Sequence, residues 1–169
     1  DQDLFVANFG ADALYRNENG TKFSEVTVAA GVGDSRWATS TGFLDYDNDG
    51  DLDLFVTGYV EYALHRNVSC KKGKVRSYCE PETYDAERDI LYRNDRDDDG
   101  TNSFVDVTDE AGVNLLGRGL GVAFSDYDVD GDTDIYVAND GTMNFLYENR
   151  RGSFVEVGLQ VGARYNAEG

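Results

Sequence analysis

The sequence predicts an all-β fold built of repeated four-stranded antiparallel sheets, the blades of a β-propeller. Three observations carry that expectation. A nine-residue acidic motif occurs twice, and a set of short markers recurs three times in the same order. The segments between are short, rich in Val, Phe, Tyr and Leu, and separated by Gly, Asn and Asp turns.

The acidic motif is Asp45-Tyr46-Asp47-Asn48-Asp49-Gly50-Asp51-Leu52-Asp53, and it returns as Asp126-Tyr127-Asp128-Val129-Asp130-Gly131-Asp132-Thr133-Asp134. Both copies read D-x-D-x-D-G-x-x-D and run straight into an apolar strand, Leu54-Phe55-Val56 or Ile135-Tyr136-Val137. Carboxylates at alternate positions, a glycine at the sixth and a closing acid suit a hard cation. Ca²⁺ takes roughly six to eight oxygens and tolerates irregular geometry. Positions one, three, five and nine are expected to supply side-chain carboxylates: Asp45, Asp47, Asp49 and Asp53, then Asp126, Asp128, Asp130 and Asp134. Asp51 and Asp132, at the seventh position, are expected to offer backbone carbonyls, while the glycine folds the chain back through a positive φ. The loop is not an EF-hand, which closes on a glutamate at its twelfth position between helices. The competing reading is an acidic, solvated hairpin turn without metal.

The loops belong to a longer repeat. Asp53-Leu54-Phe55-Val56 aligns with Asp134-Ile135-Tyr136-Val137 and with Asp3-Leu4-Phe5-Val6. Asp1 and Asp3 then fall on the seventh and ninth positions of a loop whose beginning is missing, which makes them a weaker third metal candidate. Next come Leu14-Tyr15-Arg16-Asn17, Leu91-Tyr92-Arg93-Asn94 and Leu146-Tyr147-Glu148-Asn149, each followed by a polar turn. Then come Phe23-Ser24-Glu25-Val26, Phe104-Val105-Asp106-Val107 and Phe154-Val155-Glu156-Val157, and a small-residue tail such as Ala30-Gly31-Val32. Asp3 to Asp53 and Phe104 to Phe154 are both 50 residues, whereas Asp53 to Asp134 is 81. The chain thus divides into a partial blade (1–32), a blade with an insertion at about 59–89 (33–113), a third blade (114–163) and the start of another (164–169). In the third copy the strands are expected at Leu120–Ser125, Thr133–Ala138, Asn144–Asn149 and Ser153–Val157. No segment carries a helical period. A β-sandwich is the alternative architecture.

Composition narrows the function. The chain has 169 residues and a net charge of −18, from 33 acids against 15 bases, which disfavours nucleic acid and anionic membrane as partners. No apolar run approaches the ~18 residues of a membrane helix. The chain opens on Asp1 rather than Met, as a processed product or excised piece would. No enzyme constellation is legible. His65, the only histidine, has no nearby nucleophile pattern, and no phosphate loop or dinucleotide fingerprint occurs.

These residues resemble FG-GAP (VCBS) repeats, which form the propeller of integrin α-chains and carry D-x-D-x-D-G-x-x-D calcium loops. Within that superfamily the chain is most similar to the ASPIC/UnbV group, the cartilage acidic protein relatives. The motifs that carry the likeness are F-x-D-Y-D-x-D-G-D-x-D, V-A-N, L-Y-R-N, F-x-[DE]-V-T and A-G-V, with Gly117-Arg118-Gly119-Leu120-Gly121 and the Cys70 to Tyr84 stretch. The literal Phe-Gly-Gly-Ala-Pro string and the ASPIC/UnbV C-terminal domain are absent. The resemblance implies a ring of seven or eight blades, which three units cannot close, so the chain is expected to belong to a larger protein or assembly. A monodisperse monomer in light scattering would contradict that.

The insertion holds Cys70 and Cys79, the only cysteines, around Lys71-Lys72-Gly73-Lys74-Val75-Arg76. Three readings stay open. A disulfide would fit an oxidising compartment, and ASPIC/UnbV relatives carry a similar two-cysteine insertion. Zinc held with His65 would lack a fourth ligand of the same kind. The third reading is a pair of reduced thiols. Asn19-Gly20-Thr21 and Asn67-Val68-Ser69 match the N-glycosylation acceptor. Asp95-Arg96-Asp97-Asp98-Asp99-Gly100 imitates a further calcium loop but falls in the turn before Phe104, where an exposed hairpin is expected. Trp37 and the tyrosines are expected to pack the blades rather than to form a sugar-stacking platform.

The reading is a non-enzymatic, secreted (or periplasmic or cell-surface) calcium-binding propeller segment, serving as an adhesion or interaction scaffold for protein or glycan partners. It stands against two others: the accessory propeller of a secreted polysaccharide-acting enzyme, and the subunit of an extracellular filament whose blades pair with neighbouring copies.

Overall fold

The computed structural model describes residues 1–96 and 102–165. The chain is all-β, in antiparallel sheets stacked as propeller blades. Unit one is a three-stranded sheet of β1 (Leu4–Val6), β2 (Ala13–Asn17) and β3 (Phe23–Glu25), closed by the one-turn helix α1 (Thr27–Ala30). Unit two contains β4 (Ala38–Leu44) and β5 (Asp53–Gly58). Its insertion follows, with the hairpin β6 (Cys70–Lys72) and β7 (Val75–Ser77) and the short β8 (Glu87–Arg88). The unit resumes with β9 (Ile90–Arg96), β10 (Asn102–Asp106) and α2 (Thr108–Ala111). Unit three begins with β11 (Leu116–Gly117), which pairs with β8. Its four-stranded sheet is β12 (Gly119–Ser125), β13 (Asp134–Asn139), β14 (Phe145–Asn149) and β15 (Phe154–Glu156), followed by α3 (Gly158–Val161).

Successive strand residues point to opposite faces, and unit two uses both. Leu54, Val56, Ile90 and Tyr92 face unit one and pack with Phe5, Leu14, Val32 and Phe104. Phe55 and Leu91 face unit three and join Ile135, Val137, Tyr147 and Phe154. Every residue of β5 is therefore buried, whereas Leu4 and Phe23 of unit one and Leu120 and Val155 of unit three are exposed. Two cores between three sheets are what face-to-face blade stacking requires.

The one-turn helices are a correction: four residues cannot display a helical period, so none was expected. Their sequence logic is visible in the structure. Gly31, Gly112 and Gly162 close them at φ 79°, 85° and 76°, the left-handed conformation glycine adopts without strain. In units one and two the threonine that opens the helix locks the strand carrying the L-Y marker. Thr27 Oγ1 accepts the Leu14 N–H (2.9 Å), and Thr108 Oγ1 accepts that of Leu91 (3.0 Å). Unit three has Gly158 there, and Glu156 takes over by accepting the Leu146 and Gly158 N–H groups at 3.5 and 2.7 Å. This is the physical content of the F-x-[DE]-V-T marker.

Of the acidic run from Asp95 to Gly100, Asp95 is paired with Arg93 at 2.7 Å, and residues 97–100 lie outside the described ones. So does most of the segment expected to start another blade, residues 166–169.

Candidate metal centres

The two acidic motifs form the β4–β5 and β12–β13 connections. Each is folded by its own side chains. In the first, Asp45 Oδ2 accepts the Gly50 N–H (3.1 Å), Asp47 Oδ1 that of Asp49 (3.3 Å) and Asp49 Oδ1 that of Asp51 (2.8 Å). In the second, Asp126 Oδ2 accepts from Gly131 (3.1 Å), Asp128 Oδ1 from Asp130 (3.3 Å) and Asp130 Oδ1 from Asp132 (2.9 Å). The glycines sit at φ 93° and 97°, as expected. The fourth position is left-handed too, with Asn48 at φ 61° and Val129 at 65°.

This fold brings one carboxylate oxygen each from Asp45, Asp47 and Asp49 within 4.8 Å of one another, and likewise from Asp126, Asp128 and Asp130. Asp45 Oδ1 is buried with no hydrogen-bond partner. Burial, then the Asp49 charge, pushes the Asp47 carboxyl up; Asp128 is raised by desolvation and then by Asp130. The arrangement is an all-oxygen donor set of concentrated negative charge, the kind a hard divalent cation neutralises.

The ninth position is placed differently. Asp53 Oδ2 accepts the Tyr46 N–H (3.1 Å) and its Oδ1 the Asn94 N–H (2.9 Å). Asp134 does the same with Tyr127 (2.9 Å) and Asn149 (2.8 Å). Each ties the base of its loop to the unit's third strand. Burial pushes Asp53 up to about 6 against these two bonds. Asp3 occupies the equivalent slot, accepting the Asn17 N–H at 2.8 Å, while Asp1 is exposed. At the seventh position the Asp132 side chain is turned to neighbours. It accepts from the Asn48 side-chain amide (2.8 Å) and the Arg151 N–H (2.9 Å), so the two loops touch.

Sequence reasoning missed one set of residues that a fuller repeat alignment would have exposed. Asp12, Asp89 and Asn144 each stand two residues before the L-Y marker. Each closes the base of the connection leading into the L-Y strand by accepting a backbone N–H, from Asn8 (2.8 Å), Gly58 (3.1 Å) and Asn139 (2.9 Å). Burial lifts Asp12 to about 6 and Asp89 to about 7. In the insertion, Cys70 and Cys79 are joined (S–S 2.03 Å), which removes the zinc and free-thiol readings.

Stacked antiparallel sheets, two of them four-stranded with an acidic loop between the first two strands, define a propeller-type repeat protein. Residues 1–56, from unit one through the first acidic loop into β5, match the family model described as FG-GAP-like repeat. No curated protein matches the chain.

Proposed function

We propose that this chain is a non-catalytic, extracellular propeller segment whose blades are locked by Ca²⁺ and whose loops serve adhesion or protein interaction. The observation that supports it most is the pair of carboxylate triads, built by the same hydrogen bonds in two units and carrying a buried, unpartnered oxygen at Asp45. Asp45, Asp47 and Asp49 would hold one ion, and Asp126, Asp128 and Asp130 the other. The carbonyls of Asp51 and Asp132 would add to them. Asp53 and Asp134 spend one lone pair per oxygen on backbone N–H groups and keep a second for the ion. The ion supplies no chemistry beyond charge neutralisation and cross-linking. Extracellular calcium is abundant enough that sites of ~10⁻⁴–10⁻³ M affinity would fill.

The FG-GAP-like match supports the interaction role, and the exposed disulfide hairpin supports an oxidising compartment. No helix among the described residues is long and apolar enough to cross a membrane. The L-Y-R-N and F-x-[DE]-V-T markers, with the two-cysteine insertion, favour an ASPIC/UnbV-like member.

The test is thermal melting in calcium, in magnesium and in chelator. Calcium at a hundredfold excess over its dissociation constant adds about 2.7 kcal/mol per site. A clear rise in melting temperature with calcium, smaller with magnesium, is expected. Identical curves in calcium and chelator would leave the loops as acidic turns.

A further inference from the structure

At the end of β4 and β5 opposite the acidic loop, the insertion closes over the blades and leaves a cavity of about 720 Å³. That size falls in the ~300–1,000 Å³ range of small-ligand sites. Its wall is aromatic. Trp37 meets Tyr59 edge-on at 5.1 Å and Tyr62 at 5.7 Å, and Tyr62 meets Tyr84 edge-on at 5.3 Å. Phe9, which does not line the cavity, packs edge-on to Trp37 at 5.1 Å and against Tyr62 at 5.6 Å, so these rings are held as one cluster that borders the cavity. Two are pinned: the Tyr59 hydroxyl donates to Asp140 (2.7 Å) and that of Tyr84 to Asn67 (3.2 Å).

The one charged side chain in the cavity lining is positive, although Asp140 stands behind the wall on the Tyr59 hydroxyl. The chain carries 33 acidic residues, yet among the described residues no carboxylate lines the cavity. Arg76 does line it, with the polar Asn67 and Ser77. Elsewhere Arg16, Arg36, Arg66, Arg88, Arg93, Arg150 and Arg164 are ion-paired. Lys71, Lys72, Lys74 and Arg76, all on the disulfide-closed hairpin and all exposed, make no ion pair among the described residues.

We infer that this cavity binds an acidic saccharide, a short stretch of a uronate-bearing or sulfated glycan. A sugar ring presents an apolar C–H face to aromatic planes and a rim of hydroxyls to amide and hydroxyl side chains. Its carboxylate or sulfate matches the planar fork of Arg76, and the three lysines extend the attraction along the chain. The site goes beyond the calcium reading and shares no residue with the acidic loops.

The chain's single tryptophan, Trp37, lies in the wall and reports on occupancy. Its fluorescence is followed in calcium buffer while hyaluronan, chondroitin sulfate or maltose hexasaccharide is titrated in, with poly-glutamate as the peptide control. At least one acidic saccharide should give a saturable change, with maltohexaose giving none. Response to hyaluronan would identify carboxylate as sufficient, and response to chondroitin sulfate alone would identify sulfate. Arg76→Gln, on an exposed strand and expected to leave melting unchanged, should weaken binding about tenfold or more, as loss of a charge-assisted contact does. Tyr62→Ala should weaken it similarly, and the pair Lys71→Gln with Lys74→Gln should lower mainly its salt dependence. The proposal is overturned by a flat Trp37 signal with both acidic saccharides, by equal binding of maltohexaose, by an unaffected Arg76→Gln variant, or by poly-glutamate producing the same Trp37 change at equal or higher affinity. Melting reads the calcium sites and Trp37 reads this one, so either can fail alone.

Discussion

Units two and three carry the same motifs in different surroundings, and the contrast separates what the motif does from what burial does. Unit two is packed on both faces; unit three buries one. The internal hydrogen bonds of the two acidic loops are nearly identical. Their cover is not. Asp45 and Asp47 are half-buried, and Tyr46 beside them packs on Phe154 of unit three and gives its carbonyl to the Asn149 amide at 2.7 Å. The triad of the second loop is exposed throughout. The loop conformation is therefore a local property of D-x-D-x-D-G-x-x-D, whereas the burial of its carboxylates depends on the neighbouring blade. Reduced water around the first triad strengthens its attraction for a cation and raises the cost of leaving it empty.

The largest difference should appear at the ninth position. In Asp53→Ala, two buried N–H groups lose their acceptor, at a cost of about 4 kcal/mol. Asp134→Ala orphans a matching pair, but Tyr127 is 37% exposed where Tyr46 is 5%, so water recovers part of the loss and about 2–3 kcal/mol is expected. Urea unfolding in chelator measures both without a metal contribution; equal losses would remove the burial argument.

The turn lock gives the next contrast. Asp89 is fully buried and held at about 7 by desolvation against the Gly58 N–H and the more distant Arg36 charge, while unit three has the neutral Asn144. The folded-state value lies above the unfolded one of about 3.9, so the folded chain holds this proton more tightly. Stability is then favoured by Asp89 below the unfolded value, falls as pH climbs toward 7, and carries the full penalty above it. Asp89→Asn should gain on the order of 2–4 kcal/mol at pH 8 and little at pH 4. A gain independent of pH would show that folding does not raise the Asp89 carboxyl above its unfolded value.

The smallest effect lies at the fourth position of the loops. Val129 is left-handed and 85% exposed, a conformation costly for a β-branched side chain, where the first loop has Asn48. Val129→Asn should stabilise by about 1 kcal/mol, and Asn48→Val should lose at least that much because it also breaks the bond to Asp132. Denaturant midpoints at constant slope check both.

Much of this was legible in the sequence wherever a repeat made it so. Strands expected at Leu120–Ser125 and Asn144–Asn149 are found at Gly119–Ser125 and Phe145–Asn149. The turns of the acidic loops and their positive-φ glycines were equally readable. What escaped is either too short to carry a pattern or depends on contacts between distant residues. The one-turn helices are too short to carry a period. That positions one, three and five cluster while the ninth ties the loop to the third strand follows from Asn94 and Asn149, which lie 41 and 15 residues further on. The cavity draws its wall from the start of β4, the end of β5 and the insertion, and no sequence window contains them together.

Calorimetric titration of Ca²⁺ into chelator-stripped protein tests the central claim most directly, with Asp49→Ala and Asp130→Ala each deleting one loop. Two sites are expected, the tighter lost in Asp49→Ala and the weaker in Asp130→Ala, each coupled to its own rise in melting temperature. No binding, or two sites of equal affinity that neither variant removes, would contradict it.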